Sequence, residues 1–84
     1  MLTVYSKKNC PFCEQAKQLL RNKNINHEVL MIDEDPAARE WLIAQGHRTA
    51  PQIYQNGQLF VEGGYQGLSK LTEDQLKEKL SVTN

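Results

Sequence analysis

Ser6-Lys7-Lys8-Asn9-Cys10-Pro11-Phe12-Cys13 decides how the rest of the chain is read. It joins a strand pattern to a helix pattern. Upstream, residues 2–6 alternate as a strand does. Downstream, Phe12, Ala16, Leu19 and Leu20 recur at helical spacing, which predicts a helix over about 11–23. Pro11 suits the first helical position, where the N–H it lacks would be unpaired and its φ is already set. Cys10 then falls at or beside the N-cap, where free N–H groups and the positive end of the helix dipole favour an anion. A thiolate is such an anion, and thiols of CxxC pairs at helix starts can ionise well below the ordinary value of about 8.5. Cys10 is therefore expected as the exposed nucleophile that attacks a disulfide. Cys13, one turn deeper, is expected to resolve the mixed disulfide that forms. Lys7 and Lys8 add positive charge beside the pair.

Other uses of two cysteines fit less well. A bridge across so short a loop restrains the unfolded chain very little in the loop-entropy picture, so a stabilising staple is a poor explanation. A zinc site takes four ligands, usually as two pairs. Only His27 and His47 could complete one, and they are far apart in the chain with no pair motif, so no metal is expected. An inert pair in the core is the bland alternative. A CxxC following a strand and opening a helix favours a redox dithiol.

Working outward, residues 27–32 hold Val29, Leu30, Met31 and Ile32, an apolar run of strand length expected to be covered on both faces. In Asp33-Glu34-Asp35-Pro36, Asp35 can cap a helix and Pro36 can take its first position. Ala38, Trp41 and Leu42 give that helix an apolar face, with Gly46 as its stop. Trp41 is read as a packing anchor, and His27 and His47 as surface or strand-end residues. Pro51-Gln52-Ile53-Tyr54 reads as a strand. Asn56-Gly57 is a hairpin signal, and 58–62 is the returning strand. Tyr54 and Phe60 are expected to pack across that hairpin. Gly63-Gly64 breaks the strand. A helical region follows from about 66 to 80, interrupted near Thr72, which forms a capping box with Gln75. Residues 81–84 read as a loose tail. The order is β-α-β-α-β-β-α, an α/β arrangement: a four-stranded mixed sheet with helices on both faces, in a single domain over 1–84.

Composition narrows the function classes. With 39% hydrophobic and 24% charged residues the chain has the makeup of a globular domain, not of a disordered one. No apolar run approaches the roughly 18–20 residues that cross a bilayer, and no stretch has the form of a secretion leader, so a cytoplasmic protein without membrane contact is expected. Ten basic residues balance ten acidic ones, which argues against a nucleic-acid partner. The charge is uneven: Lys7, Lys8, Lys17, Arg21 and Lys23 flank the cysteines, while Glu62, Glu73, Asp74 and Glu78 fall late. Two solvated faces are the favoured reading, and a positive field beside the cysteines the sharper one.

Taken together, Tyr5-Ser6-Lys7-Lys8-Asn9-Cys10-Pro11-Phe12-Cys13, Thr49-Ala50-Pro51-Gln52-Ile53, Asn56-Gly57 and Gly63-Gly64-Tyr65 resemble the glutaredoxins, small members of the thioredoxin superfamily. The resemblance spans nearly the whole chain and implies a thioredoxin-like fold. It also implies a glutathione-dependent thiol–disulfide oxidoreductase of the dithiol class, working as a monomer on disulfide-containing proteins and glutathione mixed disulfides. It implies a cis peptide before Pro51, with the Ala50 backbone pairing with the substrate as an added strand would. Lys7 would meet a glutathione carboxylate and Phe12 would pack on the tripeptide. Thr49, Ala50 and Pro51 would line the site. At Gly64, Tyr65 and Gln66, backbone N–H groups would hold the γ-glutamyl carboxylate. The chain departs from the family pattern in four places. Phe12 stands for the usual Tyr, Ala50 for the common Val, Gln66-Gly67 lies where many members carry an Asp, and the segment 58–62 before Gly63 is slightly longer than in short bacterial members. The last three departures support an alternative, a glutaredoxin-like hydrogen donor for ribonucleotide reductase recharged by thioredoxin reductase; such proteins often have Ala before the Pro. Lys7, Pro11-Phe12 and Gly63-Gly64 favour the glutathione branch. A third reading, a scaffold bridging an iron–sulfur cluster, fits members that usually lack the second cysteine and the intervening proline.

Overall fold

Alternation along the first strand divides the apolar residues between two faces of a sheet. In β1 (Leu2–Ser6) the side chains of Leu2 and Val4 are fully buried in one cluster, and Tyr5 points into another. The computed structural model describes residues 1–81. Beyond β1 the elements are α1 (Pro11–Asn22), β2 (His27–Met31), α2 (Pro36–Ala44), β3 (Gln52–Gln55), β4 (Gln58–Val61), α3 (Tyr65–Ser69) and α4 (Glu73–Ser81). The strand order is β2-β1-β3-β4. β1 runs parallel to β2, with Val4 beside Val29, and antiparallel to β3, with Val4 beside Ile53; β3 and β4 are antiparallel. The mixed sheet predicted from the sequence is thus present.

Helices cover both faces. On one, Ala16 and Leu20 of α1, Leu68 of α3 and Leu76 of α4 close over Leu2, Val4 and Ile53. On the other, Ala38 and Leu42 of α2 meet Tyr5 and Tyr54, with Trp41 stacked on Tyr5 at 5.4 Å between ring centroids. Trp41 is therefore the packing anchor expected. Burying a side chain such as Leu20 or Leu68 contributes about 1.5–3 kcal/mol, so these few leucines carry much of the fold. Helix starts follow the chemistry of their caps. Asp35 accepts the Ala38 N–H at 3.2 Å, with Pro36 behind it. Asn56 and Gly57 both take positive φ, 52° and 82°, as the tight turn between β3 and β4 requires.

Two expectations are corrected. β2 is an edge strand, and Glu28 and Val29 are exposed, so its apolar run is not covered on both faces. Its neighbour β1 occupies the central position that such a run suggests. Tyr54 and Phe60 do not pack together, because the register slips between Ile53 and Tyr54: Ile53 faces Val61 and Tyr54 faces Leu59. Phe60 is the extra residue of this bulge and joins the α1 face, opposite Tyr54. The last helical region is interrupted near Thr72 as expected, and so forms two helices. Residues 70–72 separate them, and α4 restarts on the predicted capping box, with Thr72 N–H donating to Gln75 Oε1 at 3.0 Å and Gln75 N–H to Thr72 Oγ1 at 3.1 Å. Of the predicted tail, residue 81 ends α4 and 82–84 lie outside the described residues.

Candidate active site

The loop after β1 delivers Cys10 to the start of α1. Asn9 turns the chain through a left-handed conformation, φ 56°, which Asn adopts more readily than most residues. Cys10 follows in an extended conformation as the N-cap, and its carbonyl accepts the first helical bond from Glu14 N–H at 3.1 Å. Cys10 Sγ in turn accepts the Cys13 N–H at 3.2 Å, so the sulfur takes the place usually held by a capping oxygen. Cys10 and Cys13 are joined in a disulfide with their Cα atoms 5.2 Å apart, within the normal range. Cys10 is 8% exposed and Cys13 fully buried. The predicted order of access holds, but Cys10 is far less open than "exposed nucleophile" implies.

A second segment lies against the first. The Ala50–Pro51 peptide is cis, and the Ala50 carbonyl is 3.6 Å from Cys10 Sγ. In the disulfide no thiol hydrogen exists and this is a van der Waals approach; in the dithiol, Cys10 can donate there. Gln52, 6% exposed, braces the segment by donating through Nε2 to the carbonyl and hydroxyl of Thr49 at 3.1 and 3.2 Å. Its positioning role was missed from the sequence, where a polar residue opening a short strand gives no signal of its own. Thr49 itself is exposed, Ala50 half-buried and Pro51 buried.

The third segment is the turn into α3. Gly64 is buried at φ 58°, and a Cβ there would run into the Pro51 carbonyl, so glycine lets this turn sit directly on the cis-proline. Tyr65 stacks on Phe12, with ring centroids 6.0 Å apart and planes 19° from parallel. Phe12 remains 48% exposed. Gln66 is exposed, and its backbone N–H already donates to the Gly63 carbonyl at 3.2 Å. The three segments singled out in the sequence therefore meet around Cys10.

The sharper reading of the charges, a positive field beside the cysteines, is weakened by ion pairs. Lys8 pairs with Glu34 at 3.1 Å and its N–H donates to Asp33 Oδ2 at 3.0 Å; the bond to Glu34 and the nearby carboxylates hold its ammonium above the ordinary lysine range. Lys17 pairs with Glu14 at 2.7 Å and Lys23 with Glu73 at 3.2 Å. The solvated-face reading prevails for these three. Lys7 is exposed and has no ion-pair partner among the described residues. The histidines sit elsewhere: His47 Nε2 lies 2.6 Å from the Tyr54 hydroxyl, and His27 Nδ1 lies 2.8 Å from the Ile25 carbonyl. Both are half-buried; His27 opens β2, the strand-end place expected of it, while His47 lies in the loop after α2.

A capping sulfur tied to a buried partner, on a four-stranded sheet of this topology, defines a redox protein of the thioredoxin-like class. The comparisons with known proteins sharpen this. The family model described as Glutaredoxin matches residues 2–60, and the chain belongs to the glutaredoxin family. It is 41% identical over 56 residues to glutaredoxin 3 of Escherichia coli strain K12, covering 66% of this chain and 68% of that one. It is 43% identical over 53 residues to the glutaredoxin-like protein NrdH of Lactococcus lactis subsp. lactis, covering 63% of this chain and 74% of that one. The solved structure of the dithiolic glutaredoxin 2-C-Grx1 of Trypanosoma brucei brucei superposes with a TM-score of 0.75 at 30% identity, over 95% of this chain and 86% of that one.

Proposed function

We propose that the chain is a dithiol glutaredoxin that reduces protein disulfides and glutathione mixed disulfides, with glutathione as its reductant. The observation that carries this reading is the Cys13 N–H directed at Cys10 Sγ at the N-cap of α1, which favours a thiolate at Cys10 once the pair is reduced. That thiolate attacks one sulfur of a substrate disulfide. The substrate S–S bond breaks, its second sulfur leaves as a thiolate, and a mixed disulfide to Cys10 remains. Cys13, having lost its proton, attacks Cys10 Sγ and expels the first substrate sulfur, which takes up a proton. The substrate has gained two electrons and the Cys10–Cys13 pair has lost two. Two glutathione thiols return them and leave as glutathione disulfide.

The residues present can receive glutathione. Lys7 offers an uncommitted ammonium, Phe12 an open ring face, and Ala50 a backbone beside the sulfur. Replacing Cys10 by Ser should abolish all turnover. Cys13→Ser should spare removal of glutathione from a mixed disulfide and impair protein-disulfide reduction. Full activity of Cys10→Ser in an insulin-reduction assay would refute the assignment.

The second reading, a hydrogen donor for ribonucleotide reductase recharged by thioredoxin reductase, is favoured by the turn before α3. There Gln66 brings no charge and its N–H is already bonded to Gly63, which leaves less to hold a γ-glutamyl group. Similarity to the NrdH protein points the same way. The donors separate the two. Recycling by glutathione and its reductase, with none by thioredoxin reductase, selects the first; the converse selects the second. A cytoplasmic location belongs to both, because an exchangeable dithiol persists in a reducing compartment.

A further inference from the structure

Dithiol exchange at Cys10 leaves open which disulfides the surface around it prefers, and the Phe12–Tyr65 ring pair bears on that. Phe12 lies between the two cysteines in the chain and is 48% exposed, a large apolar surface held in water within the redox motif. Tyr65 fixes one side of it. The Tyr65 ring packs on the α1-face core from below and stacks on Phe12. Its backbone is held by Gly64 against Pro51. Beyond the stack, Tyr65 borders an open groove of about 910 Å³ whose lining mixes Leu19 and Leu76 with charged side chains such as Lys23 and Glu73. The apolar patch next to the Cys10–Cys13 motif is thus the two stacked rings. On the same turn, the Gln66 N–H that an incoming carboxylate would need is already engaged.

We propose that the Tyr65 side chain determines substrate class, together with Phe12. The pair forms a flat apolar flank for the residue next to the reactive cysteine of a polypeptide disulfide, and it prefers an aromatic neighbour there. The proposal rests on the dithiol chemistry proposed above and adds selectivity to it. Glutathione carries a γ-glutamyl group and a glycine beside its cysteine and has no ring to stack. A peptide with Phe beside its cysteine gains an offset ring contact, enough for about a two- to tenfold preference.

The test uses protein reduced chemically beforehand, so the physiological electron donor does not enter. One round of exchange is timed with two peptide disulfides that differ only in Phe or Gly beside the cysteine. The unchanged protein should react about two- to tenfold faster with the Phe peptide. Y65F, which keeps the ring, should retain that ratio, and Y65S should bring it close to one. F12S, at an exposed position, removes the other ring and should do the same if Y65S folds poorly. Equal rates with both peptides in the unchanged protein, or a ratio that survives both Y65S and F12S, would overturn the proposal and leave the dithiol chemistry standing. No exchange with either peptide would overturn both.

Discussion

A β-carbon at position 64 has nowhere to go. The Pro51 carbonyl fills the space, and a φ of 58° with ψ of −125° is a conformation L side chains avoid. Gly64→Ala should therefore lower stability by about 1–3 kcal/mol through strain and collision. In a domain of this size that is a fall in Tm of several degrees or more, read by thermal denaturation. Because the displaced group is the cis-proline segment beside Cys10, exchange should also slow at temperatures where the variant is still folded. The sequence shows Gly63-Gly64 as a break, but not what lies across from it, since Pro51 reaches Gly64 only after two strands have paired. The same limit applies to Lys8, which reads as a charge beside the cysteines until β2 and α2 bring Asp33 and Glu34 to it. The pairing of Cys10 with Cys13 and the N-cap place of Cys10 were legible because both follow from a local feature, the first turn of one helix.

Local chemistry sets the elements as well, and most were readable for that reason. Asp35 with Pro36, Cys10 with Pro11, and Thr72 with Gln75 each start a helix from within four residues. What was misread depended on long-range pairing: the edge position of β2 and the bulge that separates Tyr54 from Phe60. One helix-to-helix tie can be tested by pH. Lys23, capping the end of α1, bonds Glu73 at the start of α4, and that bond chiefly holds the Glu73 carboxyl below the usual glutamate range, with Lys77 adding to it. A carboxyl with a lowered value in the folded state stabilises that state above its unfolded value and loses the effect as pH falls through the folded one. Glu73→Gln should accordingly destabilise the protein slightly at neutral pH, and the difference should vanish in acid, as followed by urea unfolding at both pH values. Added salt should shrink it too, because the pair is open to solvent. A difference that persisted in acid would assign the effect to helix propensity instead.

At the scale of the molecule, two unequal layers flank the sheet. The α1 face gathers Leu2, Leu20, Ile53 and Leu68, all essentially without exposure, while the α2 face relies on rings, Tyr5 against Trp41 and Tyr54. Burial holds the hydroxyls of Tyr5 and Tyr54 above the ordinary tyrosine range, so both stay protonated across the working range. Leu20→Ala should cost about 2–5 kcal/mol, measured by urea unfolding, because a fully buried leucine leaves a cavity its neighbours only partly fill. Small domains have about 5–15 kcal/mol in all, so the variant should lose activity on mild warming even though residue 20 has no part in the chemistry.

The kink at Phe60 has a consequence for how copies behave when crowded. The outermost ribbons of the sheet are β2 and β4, of five and four residues, and β4 is bent by the bulge while β2 carries the exposed Glu28. A straight, uncharged rim invites neighbouring molecules to zip on and grow into aggregates; a short rim, bent on one side and charged on the other, gives them little to follow.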